Sequence, residues 1–105
     1  MTRGVRFHPL ATAEVVDAHR WYEQRHDGLG LRFLDAVRAT TARVSRWPNS
    51  GTPTRHDASG LVLERKTGVD GFPYVVVYRD TRPDLEVLAV HHERRRPFHW
   101  AERAE

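Results

Sequence analysis

Hydrophobic and polar positions change their period twice along the chain. VRFH, residues 5–8, alternates apolar and polar side chains as a short strand does. Pro9 stops the alternation, and its fixed φ and missing N–H suit the first turn of a helix. Thr12 is an alternative N-cap. In LATAEVVDAHRWYEQRH the apolar positions Ala11, Val15, Ala18 and Tyr22 fall at i, i+4, i+7 and i+11, which is one helical face. Asp17, Arg20 and Gln24 take the other. The two glycines of DGLG break this helix. A second helix follows in LRFLDAVRATTARVSRW, with Leu34, Val37, Thr41 and Val44 on one face, Phe33 on its flank, and Trp47 and Pro48 closing it. Two amphipathic helices joined by a short glycine-rich turn read as an antiparallel αα-hairpin.

Beyond it the period drops to two. NSGTPTRHDASG, residues 49–60, is a loop by composition. Three strand-like runs follow: LVLERK (61–66), FPYVVVYR (72–79) and LEVLAVHH (85–92), separated by the turn-like TGVDG and DTRPD. Short links between consecutive strands imply antiparallel pairing. The order is therefore β-α-α-β-β-β, an α+β domain spanning 1–105 with an antiparallel sheet covered on one face by the αα-hairpin. Leu61 and Leu63 are expected to face the core together with Arg65, leaving Glu64 and Lys66 on the other face. Trp21 and Tyr22 are expected to anchor the first helix to the sheet, and Trp47 to lie in the core or cover a loop.

Composition narrows the classes. With 105 residues, 39% hydrophobic and 30% charged, the chain reads as one globular domain. The absence of cysteine excludes a disulfide scaffold and thiolate metal sites and suits a reducing cytoplasm. MTRGVRFHPL has no long apolar core of a signal peptide, and no run approaches the roughly 20 apolar residues of a membrane span. The net charge is only +3, yet it is unevenly placed: Arg94 to Arg96 is purely basic, while acids gather early, at Glu14, Asp17 and Glu23. That arrangement implies a basic patch suited to an anionic partner.

The candidate chemistry lies in HHERRRPFHW, residues 91–100. His91, His92 and His99 have the density of a metal site, but no cysteine supports them, and neighbours in a strand point to opposite faces, so neither a metal nor a cofactor is expected. One of these histidines is a candidate general acid or base. Arg94, Arg95 and Arg96 are either a solvated tail or a fixed cationic patch. Pro97, Phe98 and Trp100 favour the patch, because they are costly to leave in water and should pack the segment back onto the domain. Arg79, ending its strand, could join it.

Five stretches in this order resemble the RelE/ParE superfamily of toxins from type II toxin–antitoxin systems: HPLATAEVVDAHRWYE, GLGLRFLDAV, the helix-ending Pro48, FPYVVVY, and LAVHHERRRPFHW. The resemblance covers nearly the whole chain, and that family's fold agrees with the order read from the pattern. It implies a cytoplasmic, growth-inhibiting toxin of the kind found in plasmid stabilization, neutralised by a cognate antitoxin. One branch cleaves mRNA on the ribosome and the other inhibits DNA gyrase. The nuclease branch carries an arginine on the middle strand, where Tyr74 stands here, and a tyrosine where Trp100 stands; Arg94 matches its later arginine. FPYVVVY and RRPFHW are more similar to the ParE-like, gyrase-inhibiting branch. On that reading the protein is not an enzyme and meets its target through Arg94, Arg95, Arg96, Trp100 and Arg79. On the alternative, a ribosome-dependent mRNA endonuclease, Arg65, Lys66 or Arg94 would hold the phosphate, and Glu64 or His92 would move protons. A third reading is a non-toxic module that only binds its antitoxin.

Overall fold

The structure, a computed structural model, describes residues 3–95 and 99–104. The elements run β1 (Val5–Phe7), α1 (Pro9–Arg25), α2 (Leu29–Arg46), β2 (Thr52–His56), β3 (Val62–Gly68), β4 (Tyr74–Asp80) and β5 (Leu85–His92), followed by a 3₁₀ turn, Ala101–Ala104. The helix–helix–strand layout is the expected one, with two differences. The sheet has five strands in the order β1-β5-β4-β3-β2 and is mixed, because β1 pairs parallel with β5. Short links could be read as hairpins, whereas the pairing of β1 with β5 closes across most of the chain and leaves no local signal. The extra strand, β2, lies inside the stretch that reads as loop. Pro53 is tolerated there because β2 is an edge, and the register slips on both sides of Arg55.

Helix α1 starts at Pro9 because His8, held extended before a proline, turns its ring Nδ1 back to accept the Leu10 N–H at 3.1 Å. Gly28 carries the turn between the helices at φ 85°, a conformation open to glycine. At Gly30 the two helices touch: a Cβ there would stand 2.6 Å from His19 Nδ1 and 2.7 Å from the His19 carbonyl oxygen.

The hairpin lies over β4 and β5, and its predicted faces are the ones buried. Ala11, Ala18 and Tyr22 of α1 and Phe33, Val37 and Val44 of α2 pack on Val76, Tyr78, Leu85, Val87 and Val90. Tyr22, Phe33, Phe72 and Tyr74 form an edge-on aromatic group with centroids 5.0–6.1 Å apart. Tyr22 alone of the Trp21–Tyr22 pair is the anchor; Trp21 is 49% exposed and Trp47 is 64% exposed. The expectation for β3 is also reversed. Leu61 and Leu63 are open to solvent, and Glu64 is buried at 2% exposure. Period two was read correctly, but the hairpin does not reach over β3, and the opposite face of the sheet acquires its own cover.

That cover is a second, smaller core. A bulge in the β4–β5 pairing between Val77 and Tyr78 turns both Leu88 and Ala89 toward this face. There they join Val77 and Trp100, with Val75 and Ala104 at the margin. The loop into β2 is tied down from inside, since the Tyr78 hydroxyl donates to the Pro48 carbonyl at 2.7 Å and accepts the Gly51 N–H at 3.0 Å.

Gly30→Ala should lower unfolding stability by about 2 kcal/mol, because backbone, not a flexible tip, occupies the space a methyl needs. Gly68→Ala, where nothing lies within 4 Å, should stay within about 0.5 kcal/mol of the parent. Urea unfolding followed by circular dichroism measures both.

Candidate functional site

Strand β5 is longer than its parallel neighbour. β1 covers only Leu85–Val87, and the His8 N–H closes that pairing on the Val87 carbonyl at 2.9 Å. From Leu88 onward the edge of β5 has no strand beside it. Two side chains take the strand's place. Glu14 of α1 accepts the Val90 N–H at 3.0 Å, and Arg103 of the 3₁₀ turn donates to the Leu88 carbonyl at 2.9 Å. The two also bond to each other at 2.8 and 3.3 Å. Glu14 further takes a hydrogen bond from His99 Nε2 at 3.1 Å and stands 3.8 Å from the Arg95 guanidinium. Side-chain exposure is 13% at Glu14 and 9% at Arg103, so this is an almost dry ion pair, which holds only if its lone pairs and protons are satisfied. They are, and the pair fixes where the C-terminal segment crosses the sheet.

Trp100 is the second fastening. Its ring stacks on His91 at 5.1 Å and 20°, and its indole N–H donates to Glu64 Oε1 at 2.8 Å. Arg55 holds the other Glu64 oxygen at 3.2 Å. The third is Arg79, which pairs with Glu86 at 2.8 Å and donates to the Ala104 carbonyl at 3.0 Å. Between these fastenings β5 leaves the sheet in a tight turn. The Glu93 N–H bonds to the Pro73 carbonyl, the Arg95 N–H to the His92 carbonyl, and the Arg94 N–H to His92 Nδ1, at 2.9, 2.9 and 3.2 Å. Arg94 and Arg95 stand exposed on that turn, so they are cations on a fixed support and not a loose tail. Arg96, Pro97 and Phe98 lie outside the described residues.

The other candidates are distributed as follows. Trp100 is 5% exposed, a position from which it fastens the segment. Arg79 is two-thirds covered and spoken for by Glu86 and Ala104. Arg65 donates to the carbonyls of Asn49 and Gly51 at 3.3 and 2.9 Å, bracing the β2 loop. Of the nuclease set only Arg94 and His92 are brought together, on the turn where the Arg94 N–H meets His92 Nδ1 at 3.2 Å. His92 meets Tyr74 at 5.5 Å on the helix side of the sheet, while Glu64 lies under Trp100 on the opposite face. Arg65 pairs with Tyr78 and His92 with Tyr74, four residues apart along β4, which is about 13 Å. Glu14, Glu86 and Arg103 are the residues that sequence reasoning missed. The only signal was the imbalance between early acids and a late basic, aromatic segment, and it carried no pairing. Among the described residues, no three metal-ligating side chains are grouped to hold an ion, and no helix is long and apolar enough to cross a membrane.

Two groups at this edge of the sheet, Glu14 and His91, titrate away from their ordinary range. Burial raises Glu14, but its hydrogen bonds from Arg103, the Val90 N–H and His99 outweigh that, and its pKa lies below the usual carboxylate value. Burial pushes His91 below the usual imidazole value, so it is neutral in the fold, with Nδ1 donating to its neighbour's carbonyl at 2.8 Å.

A family model described as the ParE toxin of type II toxin–antitoxin system, parDE, matches residues 5–97. The match spans every helix and strand of the domain and stops just short of Trp100 and the 3₁₀ turn. No curated protein matches the chain.

Acid should remove stability in two windows. Below about pH 6.5 the unfolded chain takes up a proton at His91 that the folded chain refuses, so stability falls with pH. Glu14 works the other way round in charge but with the same sign: its contribution is complete above about pH 4.3 and is lost as pH falls through its lowered folded value. Denaturant midpoints across pH 3–8 measure both, and Glu14→Gln should keep the first window and shrink the second, to which Glu23 and Asp57, also held low by their hydrogen bonds, contribute as well. The same substitution should cost about 3 kcal/mol at neutral pH, since it leaves Arg103 short of its counter-charge. It should also open Trp100, the one buried tryptophan, to iodide quenching.

Proposed function

This chain belongs to the ParE toxin family of type II toxin–antitoxin systems, and on that footing we propose that it stops growth by binding DNA gyrase, protein against protein, and that a cognate antitoxin neutralises it. The observation that carries the proposal is the mounted pair Arg94 and Arg95. Both guanidinium groups are exposed, and the turn beneath them is closed by three hydrogen bonds to its own strand and to Pro73. A cation whose support is already ordered loses little freedom on binding, so more of its pairing with a carboxylate or phosphate appears as affinity. Arg96 continues the same basic run in sequence. Trp100 supports the patch from below through Glu64 and His91, which gives the aromatic of the RRPFHW ending a positioning role.

Chemistry on RNA finds less support. A nuclease needs a proton-transfer group and phosphate-binding cations within hydrogen-bond reach of one substrate. Glu64 and His92 face opposite sides of the sheet, and Arg65 is engaged by backbone carbonyls.

The test is DNA supercoiling by purified gyrase with ATP, titrated with this protein. Loss of supercoiling or accumulation of cleaved DNA is expected. Charge reversal at Arg94 combined with Arg95→Gln, which puts no like charge beside Glu14, should weaken inhibition by about 100-fold, the scale of two lost charge-assisted contacts, while moving unfolding stability by no more than about 1 kcal/mol. Unchanged inhibition by that variant would remove the patch from the target interface. Full supercoiling at large excess of the parent protein, with messages cleaved inside codons in cells, would replace gyrase by mRNA as the target.

A further inference from the structure

An open groove of about 530 Å³ runs between α1 and the ends of β4 and β5, bordered by Tyr22 of the core and by Arg95 of the cationic turn. Its wall is aromatic. Trp21, Tyr22 and Tyr74 stand in sequence, with centroids 5.1 Å apart for the first pair and 6.1 Å for the second. Ala18 gives it an apolar floor. Asp17, one turn of α1 before Trp21, is exposed on its rim and makes no hydrogen bond or ion pair among the described residues. The phenol hydroxyls of Tyr22 and Tyr74 are likewise without partners among the described residues, and burial raises both pKa values, so the rings stay neutral. Arg95 closes the far end, where it already leans on Glu14.

Three aromatic rings, an alanine floor and one carboxylate with no partner among the described residues suit a cation, since a guanidinium or ammonium within about 6 Å of such rings is drawn by their quadrupole. The structure contains one example of that contact. The Arg25 guanidinium carbon lies 3.5 Å above the Trp21 ring, on the same helix, and the indole remains 49% exposed. A carboxylate or phosphate would fit worse: Asp17 would repel it, and Arg95, the one guanidinium among the described residues that line the groove, has Glu14 beside it.

We propose that this groove receives an arginine or lysine side chain presented by a partner polypeptide, with Asp17 as its counter-charge and Tyr22, Tyr74 and Trp21 as its walls. The site is separate from the Arg94–Arg95 patch in the charge it selects: the patch takes an anionic surface, the groove a single basic side chain. It rests on the groove alone and does not depend on gyrase being the target.

The test is a ¹H–¹⁵N NMR titration of the full chain with N-acetyl-arginine N-methylamide, run beside the norleucine and glutamate derivatives. The arginine probe should shift the Trp21 indole and the Tyr74 amide saturably, with a dissociation constant on the order of 10 mM, as for one isolated contact site. Asp17→Asn should weaken it about fivefold, and Arg95→Gln should tighten it, because a like charge leaves the rim. Binding of the glutamate probe instead, with those two effects exchanged, would make the groove an anion site and overturn the proposal. Equal binding of norleucine would make it a plain apolar pocket, and no saturable shift up to about 50 mM would leave it without a ligand; either result also overturns it.

Discussion

The Glu14 carboxylate is the point through which the two halves of this molecule are joined. One side chain on the first helix accepts from the backbone of the last strand, from Arg103 and from His99. Its position follows from a shortage: β1 is three residues long and β5 is eight, so the edge of β5 beyond Val87 needs a substitute partner. Buried backbone groups left unpaired each cost on the order of 1–3 kcal/mol. Glu14 and Arg103 supply one acceptor and one donor, the same pair of functions a neighbouring strand residue would supply. The consequence is that the C-terminal segment is part of the sheet's own hydrogen bonding. It lies across the second face because Arg103, Trp100 and the Ala104 carbonyl each have a fixed place there.

This arrangement relates the family assignment to the surface the protein offers. Membership of the ParE toxin family implies an antitoxin partner, so which surfaces the fold closes and which it leaves open matters. Here the sheet divides the work. Its helix side holds the main core, so α1 and α2 can be rigid. Its other side is closed by a segment that ends in a buried tryptophan and starts in an exposed pair of arginines. The support under the arginines is built from a histidine kept neutral by burial and a glutamate kept charged by its donors. Both conditions hold near neutral pH and weaken with acid, so the geometry of the cationic turn is tied to the same titrations that set stability.

Much of this was legible in the sequence. The face of α1, Ala11–Ala18–Tyr22, follows from a 3.6-residue period, as do Val37, Thr41 and Val44 of α2, whereas Phe33, expected on the flank, is fully buried and Leu34, expected on the face, is only half-buried; the turn at Gly28 follows from its two glycines. The three long strands follow from their apolar runs and the turns between them. What failed, failed for want of long-range information. TPTRH has loop composition, and it is a strand only because β3 offers an edge. Leu61 and Leu63 have the right period, but which face of β3 is covered depends on the reach of α2, which no local pattern encodes. Trp21 and Tyr22 are equally apolar neighbours, and a rotation of about 100° per residue puts one in the core and the other outside. In the site, the basic and aromatic residues announced themselves by density. Glu14 did not, since one acid in an amphipathic helix looks like any solvated residue until its partner 89 positions away is known.

Amide hydrogen exchange at Val90 tests the role of Glu14 most directly. Val90 has no strand on its outer side, so its protection reports the carboxylate and the segment latched to it. If Glu14 and Arg103 complete the edge of β5, the Val90 amide exchanges only with global unfolding, as slowly as Val76 and Val87 in the core. If Val90 instead exchanges as fast as the exposed turn at Arg94 and Arg95, the latch is not closed in solution. Arg95 would then lack the Glu14 carboxylate held beside it.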